Sequence, residues 1–284
     1  MSVAGSTEAA GEPPLRTPMH SAAFRLLVTA QTVNAFGSAI TPVALAFAVL
    51  ALGGSATQLG LVIAAEAFAE VVTILFGGIL GDRLPRTVML QGSNAANALA
   101  QGLVVAALVG GWASVPFLAG MGAVSGCLGA LGQPSSQAIT QQTVPAANLS
   151  AAISLRRVSA NTAVTAGYSA AGVLVAAFGS GWAIAVDAAT FGFAAVCFAM
   201  LRLPPTAAPP AAAETPARPG SMLADLRGGG AEVFRHAWLW ILIAQALIYH
   251  LFYGGAQGVL GPIVVKRFYG EAAWGWALGA LMTG

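Results

Sequence analysis

The stretch Gly78-Ile79-Leu80-Gly81-Asp82-Arg83-Leu84-Pro85-Arg86-Thr87 is a short charged turn between two long apolar segments. Residues 58–80 precede it and residues 88–110 follow it. A helix rises about 1.5 Å per residue and needs roughly 20 apolar residues to cross a bilayer. Both segments are long enough, so the sequence predicts a helical hairpin whose charged turn lies at a membrane face.

The composition is that of a membrane protein. Of 284 residues, 57% are hydrophobic and 8% are charged, whereas about 25% of the residues in a soluble domain are charged. The mean hydropathy is +0.77. The net charge of +2 and the scattered basic residues argue against a nucleic-acid partner. Residues 1–23 are polar and contain prolines, and we interpret them as a disordered tail.

Apolar runs predict an all-α polytopic fold with two unequal parts. Residues 24–202 hold six predicted spans, the proline-rich residues 203–236 form a linker, and residues 237–284 begin a second transmembrane half. We expect Pro134 and Pro145 to break the fourth helix before Arg156 and Arg157 open the fifth. Helix 7 is expected at 237–265, and an eighth segment begins near residue 272 and reaches Gly284 with about half a membrane crossed, which suggests a truncated chain.

The basic residues predict the orientation. With the amino terminus inside, ten of the twelve basic residues lie at inside positions, and only Lys266 and Arg267 lie outside. The turns at 52–57, 110–114 and 178–181 carry no charge and fall outside. Because Lys and Arg concentrate in cytoplasmic loops, we predict that the tail, the linker and the charged turn are cytoplasmic.

Polar residues inside the first predicted span recur on one helical face. Gln31, Asn34, Ser38 and Thr41 are spaced by three or four residues. A polar group in hydrocarbon needs a partner or water, so these residues are candidates to line a cavity. Hydrogen bonding between packed helices explains the same stripe without transport.

The seventh span carries a second set of cavity-lining candidates, which combine polar and aromatic side chains: Gln245, Tyr249, His250 and Tyr253. Two roles stay open for His250: a neutral side chain that packs with its hydrogen bonds satisfied, or a proton relay.

Two glutamates lie near the middle of the second span. Glu66 and Glu70 are four residues apart and therefore about 40° apart around a helix. A charged carboxylate at the bilayer centre costs on the order of 3 kcal/mol, so both must be protonated, solvated or paired. They are candidates for proton coupling or cation binding. Alternatively, they bond to neighbouring helices as neutral acids.

The remaining polar groups within the spans are expected to be structural. Asp187 is predicted to lie close enough to the interface to snorkel or to cap a neighbouring helix. Packing is also the expected role of the amides on the third helix and of the small residues on the fourth, which let backbones approach closely: Gln91, Asn94, Asn97 and Gln101, and Gly122, Gly126, Gly129 and Gly132.

A weak internal repeat supports a two-half plan. Residues 26–31 (Leu-Leu-Val-Thr-Ala-Gln) resemble residues 240–245 (Trp-Ile-Leu-Ile-Ala-Gln) at an offset of 214, which equals six helices plus a linker.

With the pattern Gly-x-x-x-Asp-Arg-x-x-Arg at 78–86, the chain resembles the major facilitator superfamily of secondary transporters. The charged turn, the Pro134 to Leu149 region and Val186-Asp187-Ala188-Ala189-Thr190-Phe191 are similar to bacterial exporters of the macrolide-efflux and siderophore type. The resemblance implies an N-terminal six-helix half followed by helix 7 and part of helix 8.

The resemblance also implies roles for the charged turn. Gly78 would permit tight helix packing, and Asp82 would pair with Arg83 or Arg86, so that the four residues act as a cytoplasmic gate. Pro85 and Thr87 stand where the family usually has a glycine and a second basic residue, which reduces the basic patch.

Other function classes lack their motifs. The sequence contains no Gly-x-x-x-x-Gly-Lys phosphate loop, and it contains no His-Glu-x-x-His, Gly-x-Ser-x-Gly or Cys-x-x-Cys. We therefore predict no enzymatic activity, no catalytic residue, no cofactor and no metal. The leading hypothesis is a monomeric, multi-pass plasma-membrane transporter that exports a small amphipathic or cationic molecule in exchange for protons, with membrane lipid, cargo and protons as its partners. The alternative is a non-transporting, truncated carrier that acts as a binding or assembly protein.

Overall fold

The computed structural model describes residues 19, 21–81, 86–201 and 233–283, and within these ranges it contains helices and no strand. Seven of the described helices are long and apolar enough to cross a membrane. The prediction of an all-α polytopic fold is confirmed. The eight helices described here are α1 (Ala22–Ala51), α2 (Ala56–Gly81), α3 (Arg86–Val109), α4 (Val115–Thr143), α5 (Leu149–Phe178), α6 (Ser180–Met200), α7 (Ala237–Phe268) and α8 (Glu271–Thr283).

The junction between α4 and α5 differs from the prediction. α4 continues past Pro134 to Thr143, and α5 begins at Leu149, so Arg156 lies about two turns inside that helix. Proline is tolerated within membrane helices because neighbouring groups satisfy the backbone carbonyl that it frees. The break comes instead at Val144, which is extended with φ −137° and ψ 149°. The ring of Pro145 causes it, because a proline disfavours helical geometry in the residue before it.

Several predictions fall outside the described residues. The tail at 1–18 and the linker at 202–232 belong to this group, and so do Asp82 and Arg83 of the charged turn. Gly78 lies in the last turns of α2, and Arg86 is the first residue of α3.

The four described turns that follow α1, α3, α5 and α7, and that lie at the same end of the helices, each contain a glycine with positive φ. Gly53, Gly111, Gly179 and Gly270 have φ between 73° and 84° and separate α1 from α2, α3 from α4, α5 from α6, and α7 from α8. Only glycine adopts this geometry without strain. Consecutive helices of each pair can therefore reverse direction within a few residues.

α1 lies at the centre of the bundle. It packs along α5 and α6, while α2 packs along α4 and α3 packs along α4 and α6. Four large side chains of α1 are fully buried: Phe24, Leu27, Ile40 and Phe47. Because other helices surround much of α1, polar side chains such as Gln31 and Thr41 meet protein rather than lipid.

The last two helices contact the first six unequally. α8 packs along α5, where Gly275 lies against the backbone of Gly172. α7 contains a π-helical segment at Ala256–Leu260, and it touches α1 and α2 mainly through this segment and the residues after it. α7 and α8 begin 215 residues after α1 and α2, close to the offset of 214 inferred from the sequence.

Candidate functional site

Three acidic side chains from two helices line one cavity. Glu66 and Glu70 on α2 and Asp187 on α6 border a space of about 200 Å³, which we call the carboxylate cavity. Polar side chains of α1, α3 and α4 also line it: Ser38, Thr41, Asn97, Gln101, Ser125 and Gln133. The structure thus brings together both predicted glutamates and two of the predicted cavity residues of α1.

Glycines of α4 set the position of the glutamates. A Cβ atom at Gly126 would collide with the carbonyl oxygen of Glu66 and lie 3.3 Å from the backbone nitrogen of Glu70. A Cβ atom at Gly122 would lie 3.6 Å from the Cβ of Glu66. The predicted close packing therefore occurs at Gly122 and Gly126, and it brings the backbones of α2 and α4 together at the level of the two acids. It does not occur at Gly129, where a Cβ atom would meet no described atom within 4 Å.

Asp187 is buried rather than close to the interface, and the prediction that it snorkels or caps a helix is wrong. Its residue exposure is 1%. Its Oδ2 accepts hydrogen bonds from Thr41 Oγ1 at 2.5 Å and from Gln101 Nε2 at 3.3 Å, and its Oδ1 accepts one from Thr190 Oγ1 at 3.4 Å. Its polar partners on α1 and α3 supply donors to the buried carboxylate.

The sequence contained a signal for this role. Asp187 is the single charged residue of α6, whose mean hydropathy is 1.9. An acid in so apolar a helix requires partners from other helices. Those partners are 146 and 86 residues away in the chain, so the sequence did not identify them.

A second cavity is lined mainly by amides and hydroxyls. It measures about 320 Å³ and lies among α1, α3, α4, α5 and α6; we call it the amide cavity. Gln31, Asn34 and Ser38 of the predicted α1 stripe line it, together with Ser93, Asn94, Asn97, Gln133, Ser136 and Arg156. Asn94 and Asn97, which were assigned to packing, thus also border this cavity, and Gln101 borders the carboxylate cavity, whereas Gln91 borders neither.

Hydrogen bonds tie three helices together at the wall of the amide cavity. Gln31 Nε2 donates to Ser136 Oγ at 2.6 Å. Arg156 Nη1 donates to the carbonyl oxygen of Ser136 at 3.2 Å and to Thr140 Oγ1 at 2.9 Å. These bonds link α1, α4 and α5 and give the partly buried guanidinium its acceptors.

A third cavity lies between the first bundle and the last two helices. It measures about 320 Å³, and we call it the junction cavity. Its wall is mostly apolar and includes Leu59, Ile63 and Trp274. Glu66, Tyr168 and Gln257 are its polar side chains, and Gln257 lies in the π-helical segment of α7. π-Helical segments occur often at functional sites.

The predicted cavity residues of α7 lie elsewhere. Gln245, Tyr249, His250 and Tyr253 line none of these three cavities. They stand on the first part of α7, which makes few contacts with α1–α6. Tyr249 stacks on Tyr253 with ring centroids 5.2 Å apart, and His250 Nδ1 is 2.8 Å from the carbonyl oxygen of Ala246. Their role stays a prediction.

Within the described ranges, no group of three or more His, Cys, Asp or Glu side chains has the arrangement of a metal site. The gate motif is described only in part, because Asp82 and Arg83 lie outside the described residues and the side chain of Arg86 is likewise not described.

The chain was compared with known proteins. No curated protein matches it. The family model described as Major Facilitator Superfamily matches residues 27–284, which cover all eight helices from the first turns of α1 onward. The match spans well over half of the sequence and agrees with the all-helical, multi-span fold. The chain therefore belongs to the Major Facilitator Superfamily of membrane transporters.

Proposed function

We propose that this transporter exports a small amphipathic or cationic molecule in exchange for protons, with Glu66 and Glu70 as the coupling groups. The observation that carries the proposal is that Glu66 borders two different cavities. It lines the carboxylate cavity beside Glu70, and it lines the junction cavity beside apolar side chains. A single carboxylate can therefore meet either a proton or a cationic cargo.

The junction cavity suits an amphipathic cation. Apolar walls such as Leu59, Ile63 and Trp274 favour an apolar body through burial of its surface. The carboxylate of Glu66 favours a positive charge, and it does so more strongly in an environment of low dielectric constant. When Glu66 is protonated, this attraction is lost, so binding of a proton and binding of a cation compete at one group.

The proton gradient supplies enough free energy for this exchange. One proton moving down a pH difference equivalent to about 100 mV releases roughly 2.3 kcal/mol; the membrane potential adds nothing when one proton is exchanged for one monovalent cation, because no net charge moves. Since about 1.4 kcal/mol corresponds to a tenfold change in concentration, one proton per cycle concentrates a cargo about ten- to a hundredfold.

Ethidium is a suitable first probe because it is a flat, amphipathic, fluorescent cation. The protein is expressed from its complete reading frame, and ethidium uptake into inverted vesicles is driven by an imposed pH gradient. The variants Glu70→Gln and Glu66→Gln/Glu70→Gln are expected to abolish this uptake. Glu271→Gln is the matched control, because Glu271 pairs with Lys266 at 2.9 Å in the turn between α7 and α8, away from the carboxylate cavity.

The result that contradicts the coupling role is pH-driven uptake by the double variant at the rate of the unaltered protein. If neither ethidium nor any member of a panel of amphipathic cations is transported by folded protein, the non-transporting binding or assembly role is favoured instead. The proposed plasma-membrane location, cytoplasmic amino terminus and monomeric state are tested by fractionation, by the sidedness of an amino-terminal tag, and by the mass of the detergent-solubilised particle.

A further inference from the structure

The three cavities follow one another, because each shares wall residues with the next. The amide cavity and the carboxylate cavity share polar wall residues, namely Ser38, Asn97 and Gln133. The carboxylate cavity and the junction cavity share Pro42 and Glu66. A set of polar side chains therefore extends from Gln31 in the amide cavity to the carboxylate at the edge of the cargo pocket.

Buried amide oxygens in this series lack a donor. Asn94 Nδ2 donates to the carbonyl oxygen of Leu90 at 2.7 Å, and Asn97 Nδ2 donates to that of Ser93 at 3.2 Å. These bonds within α3 leave Oδ1 of each side chain as the remaining polar atom, and neither oxygen accepts a hydrogen bond from any described residue. Asn97 is only 3% exposed, and it lines both the amide cavity and the carboxylate cavity.

An acceptor in this position favours a small mobile donor. A buried amide oxygen without a donor is unfavourable, and a polar cavity of about 320 Å³ has room for several water molecules. A hydrated chain of hydroxyls and amides also conducts protons, because each water accepts one proton and releases another.

Asp187 lies where such a chain reaches the acids of α2. Its Oδ2 accepts a bond from the hydroxyl of Thr41, and this hydroxyl can in turn accept a bond from water. The ionisable groups that face this region are Glu66 and Glu70 in the carboxylate cavity and Arg156 in the amide cavity. Among the described side chains that α1, α3 and α4 contribute to these two cavities, none is ionisable.

We infer that the amide cavity and Asp187 form a hydrated proton route to Glu66 that is separate from the cargo pocket. A hydronium ion that enters from bulk water gives one proton to the Asp187 carboxylate and becomes water. Protonated Asp187 then gives its proton to a second water, which releases another of its protons to the Glu66 carboxylate; each O–H bond broken is matched by one formed, and Asp187 is again a carboxylate. This inference rests on the proposed exchange function. It adds a second compartment, so that protons and cargo reach Glu66 from opposite sides.

Hydration of the route is tested by thiol labelling. The two cysteines of the chain, Cys127 and Cys197, are first replaced by alanine so that only an introduced thiol reacts. Asn97→Cys is then compared with Val104→Cys in this background. Both positions lie on one face of α3 and are buried, with 3% and 4% exposure, but Val104 belongs to the apolar core. A small hydrophilic methanethiosulfonate is expected to react about tenfold or more faster at position 97, because the thiolate is the reactive form and apolar surroundings suppress it. Equal rates would overturn the inference.

The route's role in coupling is tested in proteoliposomes with ethidium. Two rates are measured for each protein: accumulation driven by a pH gradient, and counterflow exchange, which needs no net proton movement. Asp187→Asn is expected to lower the ratio of driven accumulation to counterflow by on the order of a hundredfold, the scale of losing one positioned proton-transfer group. Asp187→Glu is expected to restore much of the ratio, which a purely structural role would not do.

Failure of the inference and failure of the proposed function give different results. If the unaltered protein accumulates ethidium with the pH gradient and Asp187→Asn has the same ratio, the route is refuted and the coupling by Glu66 and Glu70 stands. If the unaltered protein shows counterflow but no pH-driven accumulation, the exchange function itself is refuted. Accumulation driven by a sodium gradient in place of a pH gradient would overturn both.

Discussion

The contact between α2 and α4 at Gly126 can be tested by adding one methyl group. Ala at this position places its Cβ against the carbonyl oxygen of Glu66, 3.2 Å from its carbonyl carbon and 3.3 Å from the backbone nitrogen of Glu70. All three atoms belong to the backbone of α2, which cannot rotate away as a side chain can. The two helices must separate, and such overpacking costs about 1–3 kcal/mol.

The same substitution has an opposing favourable effect that must be subtracted. Ala is preferred over Gly inside a helix by about 0.8–1 kcal/mol. Gly126→Ala is therefore expected to destabilise the protein by about 0–2 kcal/mol in total. Gly120→Ala is the matched control on the same helix, because a Cβ atom there meets nothing within 4 Å, and it is expected to be neutral or stabilising by up to about 1 kcal/mol.

The assay is thermal unfolding of both variants in the same detergent, together with ethidium transport. The free energies of unfolding are expected to differ by about 1–3 kcal/mol in favour of Gly120→Ala, which is the overpacking term alone. Gly126→Ala is also expected to transport less, since separation of α2 from α4 moves both glutamates. If the two variants are equally stable, α2 and α4 are not in backbone contact at the level of Glu66.

Three further predictions test other parts of the structure. Thr41→Val removes one donor to Asp187 and is expected to destabilise the protein by about 0.6 kcal/mol, the average for hydrogen bonds between membrane helices. The loss of stability measured by thermal unfolding should be larger than that of Thr165→Val, because the Thr165 hydroxyl bonds only within α5. Gly53→Ala is expected to cost about 1–2 kcal/mol because its φ is 78°, although no atom lies within 4 Å of the added methyl group. The double variant Ser169→Cys/Gly279→Cys is expected to form a disulfide, which a shift in gel mobility would show, since a Cβ at 279 lies 3.2 Å from that of Ser169. Adding Gly275→Val should prevent this disulfide, because the larger side chain forces α8 away from α5.

The helices were predictable because their signal is local. A span in lipid must be about 20 apolar residues long, whatever it packs against, so the α2 and α3 boundaries lie within about two residues of the predicted segments 58–80 and 88–110. The α4–α5 junction was not predictable from Pro134, because whether a proline breaks a membrane helix depends on the neighbouring groups. Pro145 gave the correct break, since its effect on Val144 is steric and local.

The site was only half predictable, for a different reason. Helical spacing placed Glu66 beside Glu70 and grouped the α1 stripe, and spacing is a property of one helix. The depth of Asp187 depends on Thr41 and Gln101, which belong to two other helices. The contrast between α1 and α7 has the same origin. Both carry polar residues on an apolar helix, but α1 is enclosed by α5 and α6, whereas the first part of α7 makes few contacts with the first six helices.

The division of polar groups between the cavities has a consequence for how the transporter discriminates its ligands. The junction cavity contributes mainly apolar surface. If cargo binds there as we propose, its selectivity is expected to follow size and hydrophobicity, and each added methylene changes affinity only by about 1–3 kcal/mol. The amide cavity contributes acceptors such as Asn94 and Asn97, whose oxygens favour small donors and disfavour apolar bodies. A broad cargo range at one cavity is therefore compatible with strict proton selectivity at the other. In the part of the chain that the structure describes, Glu66 is the one ionisable group that borders both the junction cavity and the carboxylate cavity. Ile63→Ala enlarges the junction cavity and leaves Glu66 unchanged. We expect this variant to transport a wider range of cations and to exchange the same number of protons per cation.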